Sequence, residues 1–187
     1  MNNLLRAPAW IQPRIPKSMQ SLFDKEGQIY KLSKNSVLVH EGEPLAMVYY
    51  LIKGMCRYTF AQLDEQTITL SLILPGRAIG DIFSIIGTGI FMRFETLQDC
   101  TFKCIPKTLF MQKLRESNDF AMEVMHYFSN KQHSHVEGMI CNMVLPPAQR
   151  VHKLLFNIAE DSVSHNPSGS INPEGFASEN GFIKLPY

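Results

Sequence analysis

The densest run of side chains able to do chemistry is His133-Ser134-His135-Val136-Glu137. Two imidazoles and a carboxylate within five residues are the types that hold zinc or iron. The spacing argues against a shared ion, because residues two apart on a helix point about 200° away from each other. One histidine is expected to face a pocket or an interface and the other water, with no metal between them. The four cysteines, Cys56, Cys100, Cys104 and Cys141, contain no C-x-x-C pair and do not make a disulfide framework. Cys100 and Cys104 fall four apart, on one face of either a strand or a helix, and are read as buried thiols. Nothing pairs a cysteine with a histidine locally as a nucleophile and base would be paired, so no catalytic residue is assigned.

The elements that must carry these residues follow from composition and pattern. A chain of 187 residues has room for one domain, or one and part of another. Its 45% hydrophobic and 19% charged residues suit a protein with a sizeable core. The net charge of +1 gives no dominant field toward nucleic acid or a membrane surface. Ile79 to Met92, the most apolar stretch, is too short to span a bilayer and holds Asp81. The start MNNLLRAPAW has no apolar segment of an export signal, and a cytoplasmic location with no membrane partner is expected.

Residues 1–20 carry Pro8, Pro13 and Pro16 and read as an extended arm. Short β-rich runs follow: Ser36 to His40, Val48 to Ile52, Cys56 to Leu63, Thr67 to Leu74 and Thr96 to Ile105. Turn residues separate them, as in Gly42-Glu43-Pro44, Lys53-Gly54 and Pro75-Gly76. Thr67, Thr69 and Ser71 alternate with Ile68, Leu70 and Leu72, predicting one buried and one wetter face and hence a sandwich or barrel. After Pro106 the period becomes helical. Lys107 to Arg115 predicts a short helix, and Ser117 or Asn118 offers an N-cap for a long one toward Val144. Along it Met122, Met125, Ser129, Gln132, Val136, Met139 and Met143 form a heptad seam, with Ala121, Val124 and Phe128 as a second stripe. Two seams predict two partners, the β module and the same helix of a second chain. Pro146-Pro147 ends or kinks the helix. Val151, Leu154, Leu155 and Ile158 give a third helix its apolar face, and Phe182, Ile183 and Leu185 read as a strand.

In this order the segments NSVLVHEGEPLAMVYYLIKGMCR (Asn35 to Arg57), PGRAIGDIF (Pro75 to Phe83) and PPAQRVHKLLFNIA (Pro146 to Ala159) resemble the Crp/Fnr family of bacterial transcription regulators. The resemblance spans about residues 21 to 187. It implies a mainly β fold with helices: a double-stranded β-helix, or jelly roll, like a cyclic-nucleotide-binding domain, then a long dimerisation helix and the start of a winged-helix domain. The implied divisions are an N-terminal arm at 1–20, an effector-binding roll at 21–115, the dimerisation helix at 116–145, and at 146–187 a hinge with an incomplete DNA-binding domain. The reader helix is expected beyond Tyr187, so promoter DNA is a partner only of a longer form.

The resemblance also implies an effector pocket between roll and long helix. Gly80-Asp81 is similar to the Gly-Glu pair that contacts ribose in cyclic-nucleotide-binding members. About ten residues on, where an arginine would hold the phosphate, stand Ile90, Phe91 and Met92. Arg93 precedes bulky Phe94, and His135 and Val136 stand where hydroxyl side chains would meet the base. The expected effector is therefore a small molecule other than cyclic AMP, with Asp81, Ile82, Arg93, Lys131 and His135 as pocket candidates and no resident cofactor. Glu95 to Cys100 and the Lys131-containing helix are similar to a halophenol-responsive subgroup. The iron-sulfur members' N-terminal cysteines are absent. Two other readings stand beside this one: a metal-dependent enzyme of the cupin type, also a β roll but with a Gly where Tyr127 stands, and a ligand-free docking module.

Overall fold

The computed structural model describes residues 8–61, 67–87 and 89–165. Among the described residues, eight antiparallel strands form two four-stranded sheets. One sheet has the order β1 (Gln28–Leu32), β8 (Cys100–Pro106), β3 (Met47–Lys53), β6 (Ala78–Ile79). The other has the order β2 (Val37–Val39), β7 (Arg93–Thr96), β4 (Cys56–Ala61), β5 (Thr67–Ile73). The helices of the described residues are α1 (Lys17–Glu26), α2 (Asp81–Ile86), α3 (Lys107–Glu116), α4 (Asn118–Val144) and α5 (Pro147–His165). A mainly β roll followed by long helices was expected, and this is the observed architecture.

The core has three parts because the strands are covered on both faces. Leu51, Ile73, Phe94 and Phe102 pack between the sheets. On β3 the neighbours Val48 and Tyr50 turn the other way, onto Phe23 of α1, Phe110 of α3 and Phe120 of α4. A third cluster joins Trp10, Ile11 and Leu72 to Cys141 of α4 and to Leu154 and Ile158 of α5.

Ser117 caps α4, its hydroxyl accepting from the Phe120 amide, so the helix starts where the sequence places it. The helix stops at Val144, and Pro147 opens α5 at the position where a missing N–H costs nothing.

Three local readings are corrected. The arm is not extended through residue 20, because Met19, Leu22 and Phe23 at helical spacing bury one face of α1 from Lys17 onward. Ala9, Trp10, Ile11 and Ile15 before it are buried as well. On β5 the strict alternation fails: a bulge pairs Tyr58 with Ser71 and Thr59 with Thr69, leaving Leu70 40% exposed while Ser71 is buried under the arm. Thr96 to Ile105 is two strands rather than one, broken at residues 97–99. The predicted strand at Phe182, Ile183 and Leu185 lies outside the described residues.

Candidate functional site

The site starts at a turn. Gly80, between β6 and α2, has φ 89°, and a Cβ there would lie 2.8 Å from Leu45 Cδ2, so both conformation and space call for glycine. Ser84 Oγ donates to the Gly80 carbonyl. The turn delivers Asp81, 2% exposed, as the first residue of α2. From the opposite wall α4 brings Lys131, 3% exposed, whose Nζ donates to both carboxylate oxygens at 2.9 and 2.7 Å. Burial pushes the Lys131 ammonium down, and Asp81 works against that shift. The Tyr127 ring lies beneath the ammonium, 4.9 Å from Nζ. This pair is the only charged link between α2 and α4 among the ion pairs of the described residues.

Beside the pair is a cavity of about 500 Å³ between the roll and α4. Tyr58, Phe83, Phe91 and Phe94 give it an aromatic wall, and Phe83 and Phe91 meet edge to face at 5.6 Å. The Tyr58 hydroxyl lies 3.3 Å from His135 Nδ1. Burial lifts the Tyr58 hydroxyl to about 12, so it stays protonated at neutral pH. Burial first, and Lys131 second, hold His135 below the usual imidazole range, which keeps it neutral. The cavity can thus take an aromatic or apolar body and offers neutral hydrogen-bonding groups. It offers no uncompensated charge from the groups just named.

Asp81, Ile82, Lys131 and His135 all line the cavity. Arg93 does not. It is exposed on β7, where its Nε donates to Glu95 at 2.8 Å, because strand alternation turns Phe94 inward and its neighbour outward. His133 points away from His135 and lies 3.4 Å from Glu137, with half of its side chain exposed. Among the described residues no three His, Cys, Asp or Glu side chains converge as a metal site would require.

Residues missed in the sequence include Trp10, Gln12, Tyr58, Phe91 and Asn142, all cavity-lining. A lone tryptophan in an arm otherwise rich in proline was the available signal.

Against known proteins, residues 30–117 match the family model of the cyclic nucleotide-binding domain. No curated protein matches the chain. Among solved structures, the sensor domain of the transcriptional regulator DNR from Pseudomonas aeruginosa is 15% identical, with TM-score 0.54, covering 64% of this chain and 79% of its own. CLP, a c-di-GMP responsive global regulator of Xanthomonas campestris, is 14% identical with TM-score 0.62, covering 84% and 77%. Oxidized CprK in complex with o-chlorophenolacetic acid is 13% identical with TM-score 0.56, covering 72% of this chain but only 55% of its own. These likenesses show the fold, and at that level the resemblance to Crp/Fnr-type regulators holds.

The matching model is named for cyclic nucleotides, whose phosphate calls for a cation, and among the described residues the only lysine or arginine lining the cavity is Lys131, which Asp81 already pairs. Position for position, Ile90 is fully buried, Phe91 is a cavity-wall aromatic, and Arg93 is outside the lining. A phosphate would lie beside a lysine already neutralised by Asp81 at 2.7 Å.

No helix among the described residues is long and apolar enough to cross a membrane.

Proposed function

We propose that the chain is the effector-sensing and dimerisation part of a cytoplasmic Crp/Fnr-type transcription regulator rather than an enzyme, and that its effector is a small, largely aromatic molecule without phosphate. The observation that carries this reading is the aromatic cavity between roll and α4, in which the one buried cation is already paired. A cyclic dinucleotide, to which CLP responds, would bring two phosphates to this cavity. An aromatic acid such as the ligand in the CprK structure matches the walls better, although its carboxylate would compete with Asp81 for Lys131.

Dimerisation is supported by α4. Met125, Met139 and Met143 are 61%, 63% and 83% exposed, and Met122, Ser129, Gln132 and Val136 of the same seam are exposed with them. A heptad seam of this length exposed in one chain fits a parallel pairing with a second copy. In this reading residues 21–115 bind the effector and 116–145 pair the protomers. Residues 146–187 lead through the Pro146-Pro147 hinge into a DNA-binding domain. Effector binding shifts the population between two settings of that hinge.

The test is thermal. Millimolar cyclic AMP should leave the melting temperature unchanged, whereas at least one compound of a neutral and weakly acidic aromatic panel should raise it by several degrees. A clear rise with cyclic AMP would overturn the assignment.

A further inference from the structure

Trp10 stands where three parts of the molecule meet. Its backbone is in the left-handed region at φ 62°, which a bulky residue rarely adopts. Its carbonyl accepts from Ser71 Oγ, which ties it to β5. Its indole lines the cavity and lies against α4 at Gly138, where a Cβ would come within 3.0 Å of Cδ1 and 3.2 Å of Nε1. Residue 138 is therefore glycine to admit the ring. The indole Nε1 is buried with no hydrogen-bond partner among the described residues, and so is Asn142 Oδ1 one turn further along the same wall. A buried donor without an acceptor is costly, and natural structures rarely keep one without a use.

The strap that carries Trp10 also holds α5. Asn157 Nδ2 donates to the Ala9 carbonyl at 3.2 Å. Arg77, 2% exposed, donates to the Gln12 carbonyl at 2.9 Å through Nε and to Asp161 of α5 at 2.9 Å through Nη1. Arg14 reaches the same carboxylate at 3.1 Å. A shift of residues 9–14 therefore acts on these polar attachments of α5.

We propose that Trp10 is the residue that reads the effector, donating its indole N–H to a ligand carbonyl or similar neutral acceptor, and that the Ala9–Ile15 strap passes occupancy to α5. This rests on the effector-cavity reading above. The ligand class is a neutral aromatic body bearing a carbonyl beside an N–H or O–H donor, the complement of Trp10 Nε1 and Asn142 Oδ1. Because Nε1 is covered, the acceptor is met by movement of Trp10, and its left-handed backbone supplies the movement.

Trp10 is the sole tryptophan, so the ¹⁵N-labelled protein has one indole N–H resonance. Benzamide, with the required carbonyl and N–H, and toluene, of similar size without them, are titrated at matched saturation. The melting temperature reports binding, and amide hydrogen exchange reports α5. Benzamide should raise the melting temperature, move the indole resonance downfield and speed exchange across residues 147–165. Toluene should raise the melting temperature with the indole resonance nearly still. Trp10→Phe should weaken benzamide binding about tenfold, leave toluene binding within about twofold, and abolish the α5 response. Benzamide binding with an unmoved indole resonance, or an unchanged α5 response in Trp10→Phe, would overturn the proposal while leaving the cavity a ligand site. Failure of both compounds to raise the melting temperature would overturn the cavity reading and the proposal together.

Discussion

Asp81 and Lys131 are each about as buried as a core leucine, and only their mutual contact makes that tolerable. The pair fixes α2 against the middle of α4 and at the same time neutralises the ammonium beside the cavity, so one contact sets both geometry and local charge. Its energetics follow from desolvation. Lys131→Met strands a buried carboxylate, Asp81→Leu strands a buried ammonium, and each should cost about 3–5 kcal/mol. The double variant buries no charge and should lie closer to the parent protein than either single one. Urea denaturation of the four proteins gives the coupling directly. Single costs that simply add would show that the two groups act independently.

At the scale of elements, α5 is attached by polar as well as apolar contacts. Leu154 and Ile158 bury into the third core cluster, and Asp161 closes the contact by accepting from the sequestered Arg77 and from Arg14. Burial pushes the Arg14 guanidinium down, with Asp161 opposing the shift. Asp161→Asn should cost about 1.5–3 kcal/mol and do so locally, because the charged acceptor is lost while the sheets keep their own hydrogen bonds. Hydrogen exchange should quicken in 147–165 and remain slow in β3 and β8; uniform destabilisation would show that α5 folds as one unit with the roll. Which elements the sequence announces follows the same physics. Helices α3 and α4 are legible because Pro106, Ser117 and the proline pair punctuate a regular period. The buried face of α4 is not: it runs through Phe120, Val124, Tyr127, Lys131, Ser134, Glu137, Gly138 and Cys141. Four of its eight members are lysine, serine, glutamate and glycine, and much of this face backs the cavity and Trp10 instead of close-packed aliphatic chains. Ala121 and Phe128, assigned to that face from the sequence, are only partly buried. Asp81, Ile82, Lys131 and His135 could be named from a family pattern, whereas the residues that line the cavity with them come in part from the arm, β4 and the end of α4, which no local spacing links.

For the whole molecule, the cavity and the proposed dimer seam share residues. Gln132 and Met139 line the cavity and belong to the exposed heptad of α4, so its wall on that side is completed by whatever covers the seam. In the proposed dimer a second copy of α4 would cover it. Ligand binding and dimerisation are then thermodynamically linked, and a ligand that prefers the dimer by some factor must tighten the dimer by the same factor per site. Val136→Glu places like charges across the seam at a position 41% exposed in the single chain and absent from the cavity lining. Sedimentation should find the parent protein dimeric at tens of micromolar and the variant monomeric, with far-UV circular dichroism unchanged, because the substituted side chain lies outside all three core clusters. The monomeric variant should also bind the aromatic ligand more weakly than the parent, about tenfold if the dimer contributes the wall beside Met139. Equal affinity in the two proteins would mean that a single protomer completes the cavity by itself and that occupancy is carried away through the strap and α5 alone.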